Sequence, residues 1–472
     1  MNAKQLIAGG MAALMLAGNA AGSVEQASAQ TLQQEADFHK KTKDRQQEYT
    51  PKVPGWEMQT EFYQVDDLLE QTDRSSLKRI QLDAAYDLTD SIWADSGSDY
   101  YFSLLNTEEK KLYLNLKKQA DRYLTGTESF QTTSVDRNGE NVTVCILPLL
   151  SYEGLRTDQM KRVFYCFMYE NPQYYFIRNS VIYSENTNRM TVGLYEIFAD
   201  GAARAEYTSQ FAGQLQAWEE QILGVQTVLE KEQLIHQIVR DNVAYNDAMA
   251  TDDPDDKEMS QSCISAVLFD KKTVCAGYAQ LFSLLCGRAG ITCVTVTSPS
   301  HAWNKVRMGN VWYNVDCTWN DCRGEDLFLN VTDEQLLAAD TEAREHTLSE
   351  EWTDTAPACT EAFDPERANG EDAGANILPP DQVPGELGLS SPQAGKLAAV
   401  FEALEGCDGY ELQYAQNSAM DPAEQTGSET ASVEISGLKG GQTYFARVRA
   451  YRLGSKGEKL YGDFSKKVKS TV

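Results

Sequence analysis

The chain has 472 residues and a formal net charge of −28. Such acidity excludes a nucleic-acid or anionic-membrane partner, because both demand basic surface. The length calls for two or three domains, and 42% hydrophobic residues with 23 tyrosines suffice for their cores.

The chain opens on Lys4, an apolar run at 6–17 and a small-x-small site at Ala27-Ser28-Ala29. That order reads as a signal peptide over 1–29, cleaved before Gln30. An uncleaved anchor is the alternative. The apolar run is short for a bilayer span and no second long one follows, so no membrane span is expected after cleavage. The expected location is secreted or extracellular, with association to the cell surface as an option.

Residues 30–60 are polar and read as a flexible leader. The stretch 61–224 reads as a mixed α/β region of unassigned role. Within it, 67–92 and 107–123 carry apolar residues at helical spacing, 142–150 is strand-like, and 160–169 is a helix ending before Asn171-Pro172. Residues 174–176, 181–183 and 190–198 read as strands, and 203–244 as one long helical stretch. The run Asp252-Asp253-Pro254-Asp255-Asp256 lacks the ligand alternation and the glycine of a calcium loop, and reads as solvated. No metal and no cofactor is called for.

Residues 225–360 centre on Cys275. Tyr278, Ala279, Phe282, Leu285 and Cys286 continue one helical face from it. Thr273 is the expected N-cap, and Gly287 or Gly290 the stop. Cys275 then lies in the first turn, where the helix dipole favours thiolate and unpaired N–H groups suit an oxyanion. Ten cysteines in an exported chain invite disulfides. Their spacings are scattered and lack Cys-x-x-Cys, so mostly reduced, buried cysteines are expected.

A hairpin follows. Strands over 291–297, 301–308 and 311–317 are expected, the last two joined by Gly309-Asn310. A two-residue loop sets Met308 opposite Val311, and so Trp303 opposite Asp316. His301 and Asp316 then share a face as diagonal neighbours, within joint reach of their side chains. A three-residue loop would part them. That face should be wet and functional; the other, with Ala302, Val306, Met308, Val311, Tyr313 and Val315, should be dry. In this geometry His301 takes the proton of Cys275, and Asp316 fixes the imidazole tautomer. Trp303 and Trp312 are the candidate substrate contacts. A lone cysteine on an apolar helix is ordinarily core, as is a lone histidine; three groups in consistent geometry are not. Of the four histidines only His301 has that context. His39 lies in the leader, and His236 and His346 read as structural.

The order Val-Cys-Ala-Gly-Tyr-Ala, His-Ala-Trp-Asn-x-Val and Trp-Tyr-x-Val-Asp-x-Thr-Trp resembles the transglutaminase-like superfamily, most of all its secreted bacterial branch. Tyr245-Asn246 stands where the family usually has Tyr-Asp, and Cys263 where relatives often carry an aromatic residue. The resemblance implies an α+β fold with a papain/transglutaminase-like core, a cysteine-bearing helix against an antiparallel sheet, and a Cys-His-Asp triad carried by Cys275, His301 and Asp316. That superfamily holds cross-linkers, proteases, amidases and inactive members.

Residues 361–388, rich in proline and glycine, read as a linker. Short strands at 396–404, 409–414, 432–435, 443–451 and 466–472 then suggest a β-sandwich. Lysine plus arginine balances aspartate plus glutamate from 391 to 472, ten of each, so the net charge sits upstream. Gly409-Tyr410-Glu411-Leu412, Gly437-Leu438 before Tyr444, and Arg447-Val448-Arg449-Ala450 resemble a fibronectin type III domain over 389–472, with Phe401 in the usual tryptophan position. The combined expectation is an exported enzyme acting on protein or peptide amides, with hydrolysis ahead of cross-linking. The alternative is a catalytically silent surface or wall-associated binding protein, its sandwich holding cell-wall or surface components.

Overall fold

The computed structural model describes residues 60–66, 93, 95–137, 140–246, 260–269, 271–323, 326–340, 345–369, 379–454 and 457–472. The expected signal peptide, the leader up to residue 59, the helix at 67–92 and the acidic run at 252–256 lie outside them. The elements below belong to one compact unit, Pro51–Gly324 with Phe328–Val472.

The first sheet takes β1 (Glu61–Gln64), β2 (Gln131–Arg137), β3 (Glu140–Ile146), β4 (Leu150–Ser151), β5 (Ile177–Ser184) and β6 (Arg189–Leu194) in the order β1-β5-β6-β3-β2, with β4 on β6. The short α1 (Tyr100–Ser103) and α2 (Thr107–Thr125) both pack on α3 (Thr157–Glu170), and α2 also reaches β4. A capping box starts α2: Asn106 accepts from the Glu109 N–H, and Glu109 accepts from the Asn106 N–H. Residues 174–176, expected as a strand, form a turn instead. The Tyr174 N–H donates to Asn171 O and the Ile177 N–H to Tyr174 O, while all three rings are buried. An aromatic run favours strands only where a neighbour offers a ladder; here the rings fill core.

The single helix expected at 203–244 is two, α4 (Gly201–Leu223) and α5 (Val228–Asn242). Gly224 caps the first, and a Thr227/Glu230 capping box restarts the second. Two short parallel strands, β7 (Ala244–Tyr245) and β8 (Lys272–Thr273), then lead into the second half of the same core. That half comprises α6 (Cys275–Arg288), β9 (Cys293–Thr297), β10 (Ala302–Met308), β11 (Val311–Val315), α7 (Cys317–Arg323), β12 (Leu329–Val331) and α8 (Asp333–Ala339). Its sheet runs β12-β11-β10-β9.

One hydrophobic core extends from Trp93 to Ala368 and joins the stretches that the sequence divides at 224. Tyr101 shows the join. Its hydroxyl donates to Thr295 O at 3.1 Å, and its ring stacks on Trp352 at 5.2 Å. The expected linker also begins inside this core: α9 (Pro365–Ala368) buries Ala368 completely. A Cβ added to Gly309 at the hairpin tip would sit 1.8 Å from Arg367 O, so α9 rests against that turn.

The C-terminal part has its own core around Leu397, Leu412, Ala446 and Val448. One sheet holds β13 (Gly388–Ser390), β14 (Lys396–Val400) and β17 (Ser432–Ser436); the other holds β15 (Gly409–Ala415), β16 (Glu424–Ser428), β18 (Thr443–Leu453), β19 (Lys459–Tyr461) and β20 (Val468–Thr471). β13, β16 and β19 are short strands absent from the sequence reading. The Tyr444 hydroxyl accepts from the Lys439 N–H at 3.1 Å, closing the corner expected there. The sandwich is seated on α2, where Asp408 takes Lys110 Nζ at 3.0 Å, Thr107 Oγ1 at 2.8 Å and the Leu453 N–H at 2.8 Å. None of the ten cysteines is in a disulfide. Among the described residues, no helix is long and apolar enough to cross a membrane.

Candidate active site

The Cys275 helix starts as expected but is capped differently. Val274, not Thr273, is the N-cap, and its carbonyl accepts the Gly277 and Tyr278 N–H groups. The Thr273 hydroxyl is spent on Ser260 O at 2.5 Å. Gly277 is required by that hydroxyl, which lies 1.8 Å from where a Cβ would stand. At the other end Ile291 N–H donates to Cys286 O and Gly290 N–H to Gly287 O, with Gly290 at φ +74. This is a Schellman stop.

The hairpin forms in the expected register: Met308 opposes Val311, Val306 opposes Tyr313 and Asn304 opposes Val315. Gly309 and Asn310 have φ of +54 and +70, as a two-residue type I′ turn demands. β11 ends earlier than expected, at Val315. Asp316 leaves the strand and starts α7. Its carbonyl accepts the Asn320 N–H, its Oδ1 accepts the Trp319 N–H at 3.0 Å, and its own N–H donates to Phe328 O at 2.8 Å. A carboxylate at a helix start is well placed, since the free N–H groups there favour negative charge.

His301 ends the turn after β9, where Ser298 N–H donates to His301 O at 2.9 Å. Its Nε2 lies 2.7 Å from Asp316 Oδ2, and Cys275 is near enough for its charge to act on the imidazole. Cys275, His301 and Asp316 are thus brought together. Tyr278 Oη donates to Asp321 Oδ2 at 2.6 Å and Asn304 Nδ2 to Ala279 O at 3.0 Å, fixing α6 to α7 and to β10. Burial by itself would lower His301, but the charge of Asp316, with Cys275, outweighs it and raises the imidazole from 6.5 to about 10. Burial would likewise raise Asp316, yet His301 and His346 hold it well below the usual carboxylate range.

Both hairpin faces are buried, which corrects the expectation of a wet one. Trp303, Lys305 and Asn314 are 1%, 1% and 0% exposed. The segment after β11 covers them: Lys305 Nζ donates to Asp333 Oδ1 at 2.7 Å, Asn314 Nδ2 to the same oxygen at 2.8 Å, and Trp303 Nε1 to Asn314 Oδ1 at 3.0 Å. Trp303 stacks on the His301 ring at 6.1 Å and forms an interior wall. Trp312, half-buried, packs on Tyr100 at 4.9 Å, with Arg307 over its face. Cys275 and His301 are 2% and 3% exposed.

His346, read from the sequence as structural, joins the same group. Its Nε2 lies 2.9 Å from Asp316 Oδ2, and its Nδ1 3.1 Å from Asp340 Oδ2. The signals in sequence were faint: a histidine beside Glu345, six residues after Asp340, in a stretch with little periodicity. His236, also read as structural, pairs with Asn320 Nδ2 at 2.9 Å, while Asn320 Oδ1 accepts the Phe328 N–H. It supports the turn that carries Asp316. His301, Asp316 and His346 offer ligand-type atoms within 4.8 Å of one another. Both imidazoles aim at the same carboxylate oxygen, so the group is a hydrogen-bonded chain rather than a ring of donors around a cation.

Residues 216–317 match the family described as the Transglutaminase-like superfamily. Kyphoscoliosis peptidase of Mus musculus is 39% identical over 69 residues, which cover 11% of this chain and 10% of that protein. The Homo sapiens protein of the same name is 38% identical over 69 residues, with the same coverage. The chain therefore spans about a tenth of the length of these curated relatives. Among solved structures, an fn3 domain of human contactin 1 matches 21% of this chain and 87% of its own at 17% identity and TM-score 0.18. The 6th fibronectin type III domain of human fibronectin type III domain containing protein 3 matches 21% and 91% at 20% identity and TM-score 0.17. The matched stretch includes Cys275, His301 and Asp316 and stops short of Asp340 and His346.

Proposed function

We propose that this protein is an exported cysteine-dependent acyl-transfer enzyme acting on protein or peptide amides. The observation that carries the reading is the convergence of Cys275, His301 and Asp316, with the 2.7 Å bond between the last two. The Cys275 thiolate attacks the amide carbonyl while first-turn N–H groups of α6 face the developing oxyanion. His301, held as imidazolium, gives its proton to the leaving amine, and Asp316 stabilises the ring throughout. Water, more abundant than any amine outside a cell, then releases the acyl group, so hydrolysis is favoured over cross-linking. The sandwich, read as a fibronectin type III module, holds the enzyme near surface or cell-wall components.

Acyl-enzyme trapping tests this. Full-length protein is incubated with peptide amides, quenched in acid, and the Cys275 peptide is weighed by mass spectrometry. The expected result is an acyl adduct on Cys275 that hydroxylamine removes and that Cys275→Ala lacks. Incorporation of a fluorescent primary amine at a rate exceeding hydrolysis would reverse the preference for water.

One observation favours the second reading, a silent binding scaffold: Cys275 is only 2% exposed. If no adduct forms, and iodoacetamide alkylates Cys275 only as pH rises past about 8 like a free thiol, the scaffold reading replaces the enzyme.

A further inference from the structure

The triad continues past its carboxylate. Asp316 Oδ2 is shared by two imidazoles, His301 Nε2 at 2.7 Å and His346 Nε2 at 2.9 Å. His346 passes the chain on to Asp340, whose Oδ2 receives both the His346 ring Nδ1 at 3.1 Å and its backbone N–H at 2.8 Å. Among the described residues, Asp340 Oδ1 has no hydrogen-bond partner, so this carboxylate serves His346 alone. An ionised carboxylate only accepts. A ring with a carboxylate oxygen at each nitrogen therefore carries both protons and a positive charge. Charges alternate from His301, positive, through Asp316, negative, to His346, positive.

The segment is anchored to keep this geometry. Ser349 N–H donates to Thr297 O at 3.0 Å and Trp352 Nε1 to Thr297 Oγ1 at 2.7 Å, two contacts with the end of β9 just before His301. Trp303, Trp319 and Phe328 enclose the His346 ring at 5.1, 4.7 and 5.9 Å. The titratable groups facing it are His301 and Asp316 from the hairpin end, and Asp340 and Glu345 from its own segment. Arg323 of α7 stands behind, over the Trp319 and Phe328 rings. A fully buried, charged, doubly bonded histidine is an expensive way to fill space, since leucine would fill it without desolvating any charge.

We propose that His346, held by Asp340, is a positioning residue of the reaction centre: it fixes the Asp316 carboxylate and keeps it ionised, and through Asp316 it sustains His301 as the imidazolium partner of Cys275. The inference rests on Cys275 being the nucleophile. His346 touches neither the thiol nor a substrate. It acts because Asp316 next to a cation resists protonation, and an Asp316 that takes up a proton no longer supports the His301 charge.

The test uses full-length protein and iodoacetamide, with the alkylation rate of the Cys275 peptide followed from pH 4 to pH 9. Wild type should keep its rate well below neutral pH. His346→Gln retains a donor toward Asp316 without the charge, so its acid limb should move toward neutrality, slowing alkylation roughly tenfold at mildly acidic pH for each unit of movement. Asp340→Asn, which preserves shape, should move the limb the same way by less. His346→Leu should be slow at every pH, with His346→Gln restoring part of the rate near neutrality. A uniform slowing that follows loss of folded protein by circular dichroism, with the limb in place, overturns the proposal. So do Gln and Asn variants that match wild type throughout. Should the His346 variants unfold, Asp340→Asn decides. A wild-type profile like that of a free thiol overturns the nucleophile reading as well; a shifted wild-type profile that both variants leave untouched overturns only the role of His346.

Discussion

Two strands of similar appearance in sequence do opposite things. β18 alternates between buried and half-buried positions over most of its length, with Val448 and Ala450 inward and Arg447 and Arg449 outward. β10 is buried at six of its seven positions, and three of those six are Trp303, Asn304 and Lys305. A strand with one apolar and one polar face needs only a core beneath it. A strand with polar groups on buried faces needs a specific partner for each, because an unmet buried donor or charge costs more than its bond returns. β18 is thus scaffold and β10 is part of a built site.

The comparison breaks most sharply at Asp316. Asp316→Ala removes the shared acceptor of His301 and His346 and the cap of α7. Alkylation of Cys275 by iodoacetamide at mildly acidic pH should fall by about 10²–10⁴-fold, the usual worth of a general acid-base partner. A rate within twofold of wild type would mean the buried polar face of β10 does no chemistry. The counterpart in the sandwich is Leu412→Ala. Leu412 is 0% exposed at the centre of that core, so the change should cost about 2–5 kcal/mol in thermal or denaturant unfolding. Alkylation of Cys275 at 25 °C should stay unchanged. If it fell with the sandwich, the two regions would not be separable in function.

A milder probe is pH. His301 is raised from 6.5 to about 10, so it contributes stability that is fully present below 6.5 and is lost as pH rises toward 10. Asp316 is depressed, so its contribution is present above the ordinary carboxylate range and is lost only in strong acid. Denaturant midpoints of wild type should therefore decline between pH 6.5 and 10 relative to His301→Gln, and the two curves should converge at the alkaline end. Parallel curves would show that His301 is not held as a cation.

The meeting of Cys275, His301 and Asp316 was legible because its signals are local: a helix start and a two-residue Gly309-Asn310 turn bring those three segments together. The hairpin register followed from that turn alone. His346 was not legible. It reaches Asp316 from 30 residues away, through a segment whose only periodic feature is its lack of one. The same holds for the cover over the hairpin. Asp333 and Cys359 meet Lys305 through chain folding that no period encodes. In the sandwich, strands with strong alternation were visible, whereas β13 and β19, of three residues each, were too short to show any, and β16, Glu424–Ser428, has no apolar residue to alternate. The break at Gly224 was missed because apolar spacing continues through it.

The smallest effect separates two lysines whose ion pairs have the same length. Lys396 Nζ lies 2.7 Å from Glu434 Oε1 on the sandwich surface, with side chains 37% and 56% exposed. Lys305 Nζ lies 2.7 Å from Asp333 Oδ1, but its own side chain is 1% exposed. Solvent screens the first pair and both side chains lose freedom to make it, so Lys396→Ala should shift stability by less than about 0.5 kcal/mol. Lys305→Ala strips a charged donor from a carboxylate that also ties Asn314 and the Cys359 N–H, and should cost about 1.5–3 kcal/mol. Urea midpoints of the two variants measure the contrast directly. Equal midpoints would mean that the polar groups enclosed around β10 are no more committed than a surface pair, and the distinction between scaffold and site would lose its energetic basis.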